Sequence, residues 1–303
     1  MVYEKIDALG QVPGCIVLTD EPMSEHTSFR IGGPADRFVH VENQEALKKV
    51  LAVVTEEQLP LFVLGKGSNL LVSDDGFRGV VLALEGDFKQ ITLGEDGVTV
   101  HCGAGASLSS LCKFARDHAL SGLEFAWGIP GSAGGAAYMN AGAYGGEMKD
   151  VLTCVQAVSL NGNEHTLYAN ELDLSYRHSA FTGGTDIITF IDVRLVPSKI
   201  EQIQSRMNEL ILRRKEKQPL EFPSAGSTFK RPEGYFAAAL IEQCGLKGYT
   251  IGGAQVSFKH SGFIINTGHA TCKEVLALIA HVQYVVQEQA HVRLETEVEF
   301  LGM

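Results

Sequence analysis

Three runs of small residues stand where a chain could hold a large phosphate-bearing molecule: Gly65-Lys66-Gly67-Ser68-Asn69, Gly103-Ala104-Gly105-Ala106-Ser107, and the long stretch from Gly128 to Gly146. Backbone N–H groups approach a pyrophosphate closely only where side chains are absent, and successive amides then form an anion cradle. A single glycine-rich loop is commonplace in turns. Three in one half of the chain point to a phosphate-bearing cofactor, with the turns of a β-rich fold as the competing reading. The motif is not one of the familiar ones. Leu70 and Leu108 stand where G-x-G-x-x-G needs its last glycine, and neither G-x-x-x-x-G-K-[ST] nor H-E-x-x-H occurs. A Rossmann dehydrogenase, a P-loop NTPase and a zincin are all disfavoured.

A second signal is charge set against the global trend. Between Arg206 and Arg231 there are seven basic residues and three acidic ones, a balance of +4 in a chain of net charge −11. A solvated helix face accounts for Arg213 to Lys217. It accounts less well for Lys230 and Arg231 beside Gly226-Ser227 in a Pro/Gly loop, where a small anionic substrate is the sharper reading. Taken alone, Ser227 reads as a cap or turn residue and Arg177 as a surface charge after a turn. Glu295, Glu297 and Glu299 read as the solvated face of one strand. The six cysteines are scattered without C-x-x-C spacing. That argues against a zinc site or redox dithiol, predicts no bound metal, and fits buried thiols in a reducing compartment.

The 303 residues suggest two domains, and 45% hydrophobic with 20% charged residues is globular composition. With 25 basic against 36 acidic residues, the summed field repels polyanions, so no nucleic-acid partner is expected. The charged opening MVYEKIDALGQ predicts no secretory leader. The uncharged stretch Phe125 to Gly146 carries seven glycines, Pro130 and Asn140, so it reads as a loop region and not a membrane span. A cytoplasmic protein without a membrane partner is expected. Helical periodicity marks 43–58, a helix capped by Ser107, and 200–211; Tyr235 to Cys244 reads as a helix stopped by Gly245, and Thr271 with Glu274 forms a capping box before a long helix. Short apolar runs at 61–64, 80–84, 98–102, 155–159 and 187–196 read as strands. The alternation in 292–301 predicts a half-buried strand.

The segments TSFRIGGPADRFV, LGKGSNLLVSDDGFRGVVL, GIPGSAGGAAYMNAGAYGGE, YRHSAF, AGSTFKRP and LETEVEFLG together resemble, in order and across nearly the whole chain, the UDP-N-acetylenolpyruvoylglucosamine reductase family. The resemblance implies an α+β fold: an N-terminal segment (1–26), an FAD-binding domain of the vanillyl-alcohol-oxidase (PCMH) type (27–198), and a smaller α+β substrate-binding domain (199–303). It implies non-covalent FAD, with NADPH as co-substrate, and reduction of a UDP-sugar enolpyruvyl ether in peptidoglycan precursor synthesis. Lys66, Gly67, Ser68 and Asn69, with Gly128, Ile129, Pro130, Gly131, Ser132, Gly134 and Gly135, are the implied cofactor contacts. Asn140, Gly142, Ala143 and Tyr144 are expected nearby, and Arg30 and Gly103 as supporting contacts. Arg177 resembles the arginine that stabilises the developing enolate, being permanently charged and able to fork onto a carboxylate. Glu297 resembles its partner acid, protonated or hydrogen-bonded beside the forming enol, and Ser227 the proton donor to the adjacent carbon. Lys217, Lys230 and Arg231 are expected at the substrate's phosphates, and Gln255, Tyr249 and His260 along the site. Only 50 positions separate Arg177 from Ser227, so the chain resembles the shorter form that lacks a substrate-covering tyrosine-loop insertion. The rival readings are another flavin oxidase or dehydrogenase of this fold and a non-catalytic nucleotide-binding module.

Overall fold

Local chemistry starts most of the helices. The Asn43 side chain accepts the Ala46 N–H and opens the helix Gln44–Glu56, whose buried face is Ala46, Leu47, Val50, Leu51 and Val54. Ser107 does the same for Leu108–Asp117, burying Leu108, Leu111, Cys112 and Ala115. Thr271 and Glu274 form the reciprocal capping box of the helix Cys272–Ala290. In each case an oxygen satisfies an N–H that the first helical turn leaves unpaired.

The computed structural model describes residues 3–303. The N-terminal segment opens with the short helix Glu4–Ala8 and the strand Cys15–Pro22. The chain forms two compact units that are interleaved in sequence: Met1–Thr19, Arg37–Lys66 and Gly79–Arg213 make the first, and Asp20–Asp36, Gly67–Arg78 and Arg214–Met303 the second.

The first unit holds a four-stranded sheet in the order Cys15–Pro22, Pro34–Val41, Phe77–Leu84, Leu61–Leu64, whose last pair is parallel with Leu61 opposite Val80. It also holds an antiparallel five-stranded sheet in the order Glu164–Tyr168, Leu152–Val158, Ile187–Arg194, Thr99–Gly103, Ile91–Leu93. The helices Gln44–Glu56 and Leu108–Asp117 send their apolar faces into one core with Val80, Leu82, Val100, Val155 and Ile191. The stretch 125–146, read from sequence as a loop, contains the helix Ala133–Tyr138 and a small hairpin pairing Gly142–Ala143 with Gly146–Glu147. Ser132 caps that helix by accepting the Gly135 N–H, and buried Ala133, Ala136 and Ala137 pack it.

The second unit is built on the sheet Ser224–Ser227, Phe263–Asn266, Ala254–Val256, Thr250–Ile251. The helix Cys272–Ala290 buries Val275, Leu278, Ile279 and Val282 among Phe29, Leu71, Ile241, Val256 and Ile264. Asp74 adds a second cap to this helix, accepting the N–H groups of Cys272 and Lys273 at 2.7 and 3.0 Å. Two sequence expectations are corrected in this unit. The helix expected from Tyr235 begins at Ala237, with Tyr235 and Phe236 exposed before it. Of the strand expected over 292–301, only Glu299–Leu301 forms one, parallel to Leu70–Val72. The buried residues of this run are Leu294, Val298 and Leu301, spaced by four and three and not by the two that a strand face requires. Glu297 is accordingly half-buried, while Glu295 and Glu299 are exposed. All six cysteines are free thiols; five are buried and Cys244 is half-buried. Among the described residues no helix is long and apolar enough to cross a membrane.

Candidate active site

Two of the glycine loops meet in the first unit. The Leu108 N–H donates to the Gly131 carbonyl, the Ala133 N–H to Ala106 and the Gly134 N–H to Ala104, at 2.8 to 2.9 Å. The approach is so close that a Cβ on Gly134 would lie 2.7 Å from that of Ala104, and one on Gly65 would lie 2.6 Å from the Ser132 hydroxyl. Side chains are absent here because one loop packs on another. The Gly103 N–H goes to Gln90 and the Gly105 N–H to Phe88. The Gly103–Gly105 turn therefore corrects the expectation of a free amide cradle at this loop: its N–H groups are spent on the fold. Gly128, Ile129 and Gly131 are half-buried and Pro130 is exposed, so they line the surface side of this zipper.

Further along the same unit, three expected site residues adopt left-handed backbone: Asn140 at φ +42°, Tyr144 at +54° and Arg177 at +55°. Non-glycine residues seldom hold such values unless the surroundings enforce them. Tyr144 and Gly145 are the two central residues of the hairpin that pairs Ala143 with Gly146, the positive-φ turn that fits the twist of its strands. Arg177 sits in the turn Ser175–His178, closed by two 3.2 Å backbone bonds, and its guanidinium lies 5.0 Å from the centre of the Tyr176 ring. Asn140 is corrected as a flavin contact. It is 0% exposed, and its amide bonds Glu147, Ser175 and Lys149.

In the second unit, Ser227 and Glu297 come together around one residue, Thr228. Its carbonyl accepts the Glu297 N–H at 2.8 Å, its N–H donates to Gly262 at 2.8 Å, and its buried hydroxyl accepts the Ile264 N–H at 3.1 Å. Ser227 pairs with Phe263 one residue earlier, and its hydroxyl bonds no other described residue. Asn69 braces the other side: its side-chain amide donates to the Glu297 carbonyl and its own carbonyl accepts the Glu299 N–H, both at 2.9 Å. The N–H groups of Lys66, Gly67, Ser68 and Asn69 donate to no described residue, which leaves four consecutive donors open. Gly67 at φ +57° shapes this loop, and its carbonyl accepts the Ser28 N–H at 3.0 Å. Arg30, also left-handed at φ +55°, is exposed in the turn beyond.

The remaining candidates are spread out. The Lys230 N–H donates to Glu295, whose carboxylate lies 3.8 Å from the Lys230 ammonium. The Arg231 guanidinium stands 4.7 Å from the Phe236 ring centre, and Lys217 is exposed at the end of the helix Ile200–Lys217. Gln255 bonds Thr250 on the sheet edge opposite Ser227, and Tyr249 stacks on His281, so neither joins the Ser227–Glu297 cluster. His260 does sit beside it: its Nδ1 accepts the N–H of Gly262, the residue that receives the Thr228 N–H. Burial pushes its imidazole below the ordinary histidine value. Thr228, which joins Ser227 to Glu297, is the neighbour that the sequence does not reveal, since a threonine after a serine in a loop carries no distinguishing pattern.

Residues 35–168 match the family model described as an FAD binding domain. A solved variant of berberine bridge enzyme shares the fold alone, with a TM-score of 0.51 at 14% identity over 66% of this chain and 44% of that one. Fold and matched region together define a protein of α+β architecture with an FAD-binding domain. Residues 218–301 match the model described as the C-terminal domain of UDP-N-acetylenolpyruvoylglucosamine reductase. A curated relative of that name from Syntrophomonas wolfei is 49% identical over 283 residues, 93% of this chain and 94% of its own. The crystal structure of the same reductase from Thermus caldophilus has a TM-score of 0.81 at 38% identity, covering 95% of this chain and 98% of that one. The chain belongs to the UDP-N-acetylenolpyruvoylglucosamine reductase family.

Proposed function

We propose that this protein reduces UDP-N-acetylglucosamine-enolpyruvate to UDP-N-acetylmuramate at the expense of NADPH, through non-covalent FAD, in the cytoplasmic synthesis of peptidoglycan precursors. Residues 27–198 serve mainly the flavin and 199–303 the substrate. The cofactor fits the residues present: four consecutive open N–H groups from Lys66 to Asn69 match the acceptor oxygens of a diphosphate. Bound FAD supplies the reducing equivalents of NADPH to the vinyl carbon of the enolpyruvyl ether.

The chain's own residues manage the charge and the proton. Negative charge develops on the carbon beside the substrate carboxylate and spreads onto that carboxylate. Arg177, permanently cationic and forked, holds it there. Glu297 lies along the forming enol. Ser227 gives its hydroxyl proton to that same charge-bearing carbon, next to the one reduced, and recovers a proton from solvent afterwards; an alcohol is a weak acid, so Lys230 and Lys217 assist through their charge and also meet the substrate phosphates. Arg231 adds to this cationic side. The observation that carries the reading is the arrangement around Thr228, which presents an unengaged Ser227 hydroxyl on one side and fixes the Glu297 backbone on the other.

The test is the visible spectrum under anaerobic conditions. The purified protein is yellow, bleaches with NADPH, and regains its colour when UDP-N-acetylglucosamine-enolpyruvate is added. Ser227→Ala leaves bleaching intact and slows recovery by roughly a hundredfold or more. A protein that bleaches, ignores the nucleotide and recovers only in air would replace this reading with an oxidase of the same fold.

A further inference from the structure

The buried amide of Asn140 has a partner for both of its donors and for its oxygen. One Nδ2 hydrogen goes to Glu147 Oε2 at 2.6 Å and the other to the Ser175 carbonyl at 3.0 Å, while Oδ1 accepts the Lys149 N–H at 2.9 Å. The Lys149 bond fixes which amide atom is oxygen, since an N–H requires an acceptor. The three partners come from two separate pieces of chain. Glu147 closes the hairpin whose tip is Tyr144, Lys149 follows it, and Ser175 begins the turn that presents Arg177. Ser175 and Tyr176 are exposed, and the two bonds that close the turn are long at 3.2 Å. Its central residue, Arg177, carries the strained φ of +55°, so the turn does not hold this shape by intrinsic preference.

We propose that Asn140 is a positioning residue that acts through Arg177. Its amide ties the Ser175 carbonyl to the base of the Tyr144 hairpin and thereby holds the arginine in its working direction, without touching flavin or substrate. The inference rests on the role given to Arg177 above. Asn140 itself adopts φ +42°, a value that asparagine, aspartate and glycine tolerate better than other residues. Substitutions that keep the backbone and remove the amide donors are therefore available.

The experiment uses the FAD-loaded protein and two variants. Asn140→Gly deletes the amide and relieves the backbone. Asn140→Asp keeps an acceptor for Lys149 and loses both donors, so it serves if the glycine variant does not fold. Stopped-flow absorbance follows flavin bleaching by NADPH and recovery with UDP-N-acetylglucosamine-enolpyruvate. Recovery slows by roughly tenfold, the equivalent of one lost hydrogen bond. Bleaching, FAD affinity and the resting spectrum stay within about twofold of the parent. In the double variant Asn140→Gly with Arg177→Ala, recovery is no slower than with Arg177→Ala alone, because a residue acting through Arg177 has nothing left to position. Additive losses, or weakened FAD binding with a shifted spectrum, would overturn the proposal in favour of a general structural role or a direct flavin contact. Normal recovery in both Asn140 variants, with slow recovery in Arg177→Ala, sinks this inference and spares the reaction. Normal recovery in Arg177→Ala itself removes the role of Arg177 and this inference with it.

Discussion

Gly67 offers the sharpest test of the loop 66–69 proposed to hold the cofactor, because its substitution by alanine has a conformational part and a steric part that can be separated. At φ +57° an alanine carries a left-handed penalty of about 1–2 kcal/mol. Its Cβ would also stand 2.1 Å from the His26 carbonyl oxygen and 2.9 Å from the Thr27 Cα. Comfortable carbon contacts begin at about 3.5 Å, so two backbone segments must part by roughly 1 Å, and no rotamer change can relieve them. That displacement pulls on the Ser28 N–H bond to the Gly67 carbonyl, worth about 1 kcal/mol. The total is about 2–3 kcal/mol. Gly97 is the control: its φ is +69°, yet nothing lies within 4 Å of a Cβ built there, so Gly97→Ala carries only the left-handed penalty. Urea unfolding followed by far-ultraviolet circular dichroism should place Gly67→Ala at least 1 kcal/mol below Gly97→Ala. Gel filtration should then show FAD leaving Gly67→Ala and staying with Gly97→Ala, since the displaced loop carries the open amides. Equal stabilities and full flavin retention in both would refute the reasoning.

Thr228→Val keeps the shape but leaves the buried Ile264 N–H without its acceptor; a loss of about 1–3 kcal/mol is expected in urea, together with slower flavin recovery because Ser227 and Glu297 share this anchor. A stability change below about 0.5 kcal/mol would deny Thr228 that part. Thr271→Ala removes the hydroxyl that accepts the Glu274 N–H and should cost about 1 kcal/mol, read as a lower midpoint in the same urea titration. Burial pushes the thiols of Cys102 and Cys112 up to about 12 from the ordinary 9.0. A raised pKa means that the unfolded chain releases these protons first, so the stability they contribute is intact below about pH 9 and drains away as pH rises toward 12. The urea midpoint should fall across that window, and less steeply in the Cys102→Ala/Cys112→Ala variant; parallel pH profiles would contradict the assignment.

What the sequence disclosed followed the range over which each signal acts. Asn43, Ser107 and the Thr271–Glu274 pair announce helices because a cap is a bond within one turn, and the buried faces behind them follow from the 3.6-residue period. The helix Ala133–Tyr138 stayed hidden because glycine and alanine carry no amphipathic pattern. The 292–301 run imitated a strand because alternation by composition is indistinguishable there from irregular extended chain fixed by Phe229, Thr228 and Asn69. At the site, Arg177, Ser227 and Glu297 are ordinary residues in ordinary contexts, and only the family resemblance singled them out. The same resemblance put Asn140 near the flavin but could not say which way its amide turns, since Ser175 lies 35 residues away.

The interleaving of the two units has a consequence for how such a chain can be made or altered. The polypeptide passes from one unit to the other at 19/20, 36/37, 66/67, 78/79 and 213/214. The strand Leu70–Val72 therefore waits for Glu299–Leu301 as its partner, and Phe29 and Leu71 wait for the core residues that follow 214. On the ribosome, the early segments of the second unit emerge long before anything exists to cover them, so their apolar residues are the natural clients of a chaperone until synthesis ends. Gene shuffling meets the same obstacle. A cut near 214 yields a C-terminal piece without a finished interior, and exchanging the second unit for another means replacing three stretches at once.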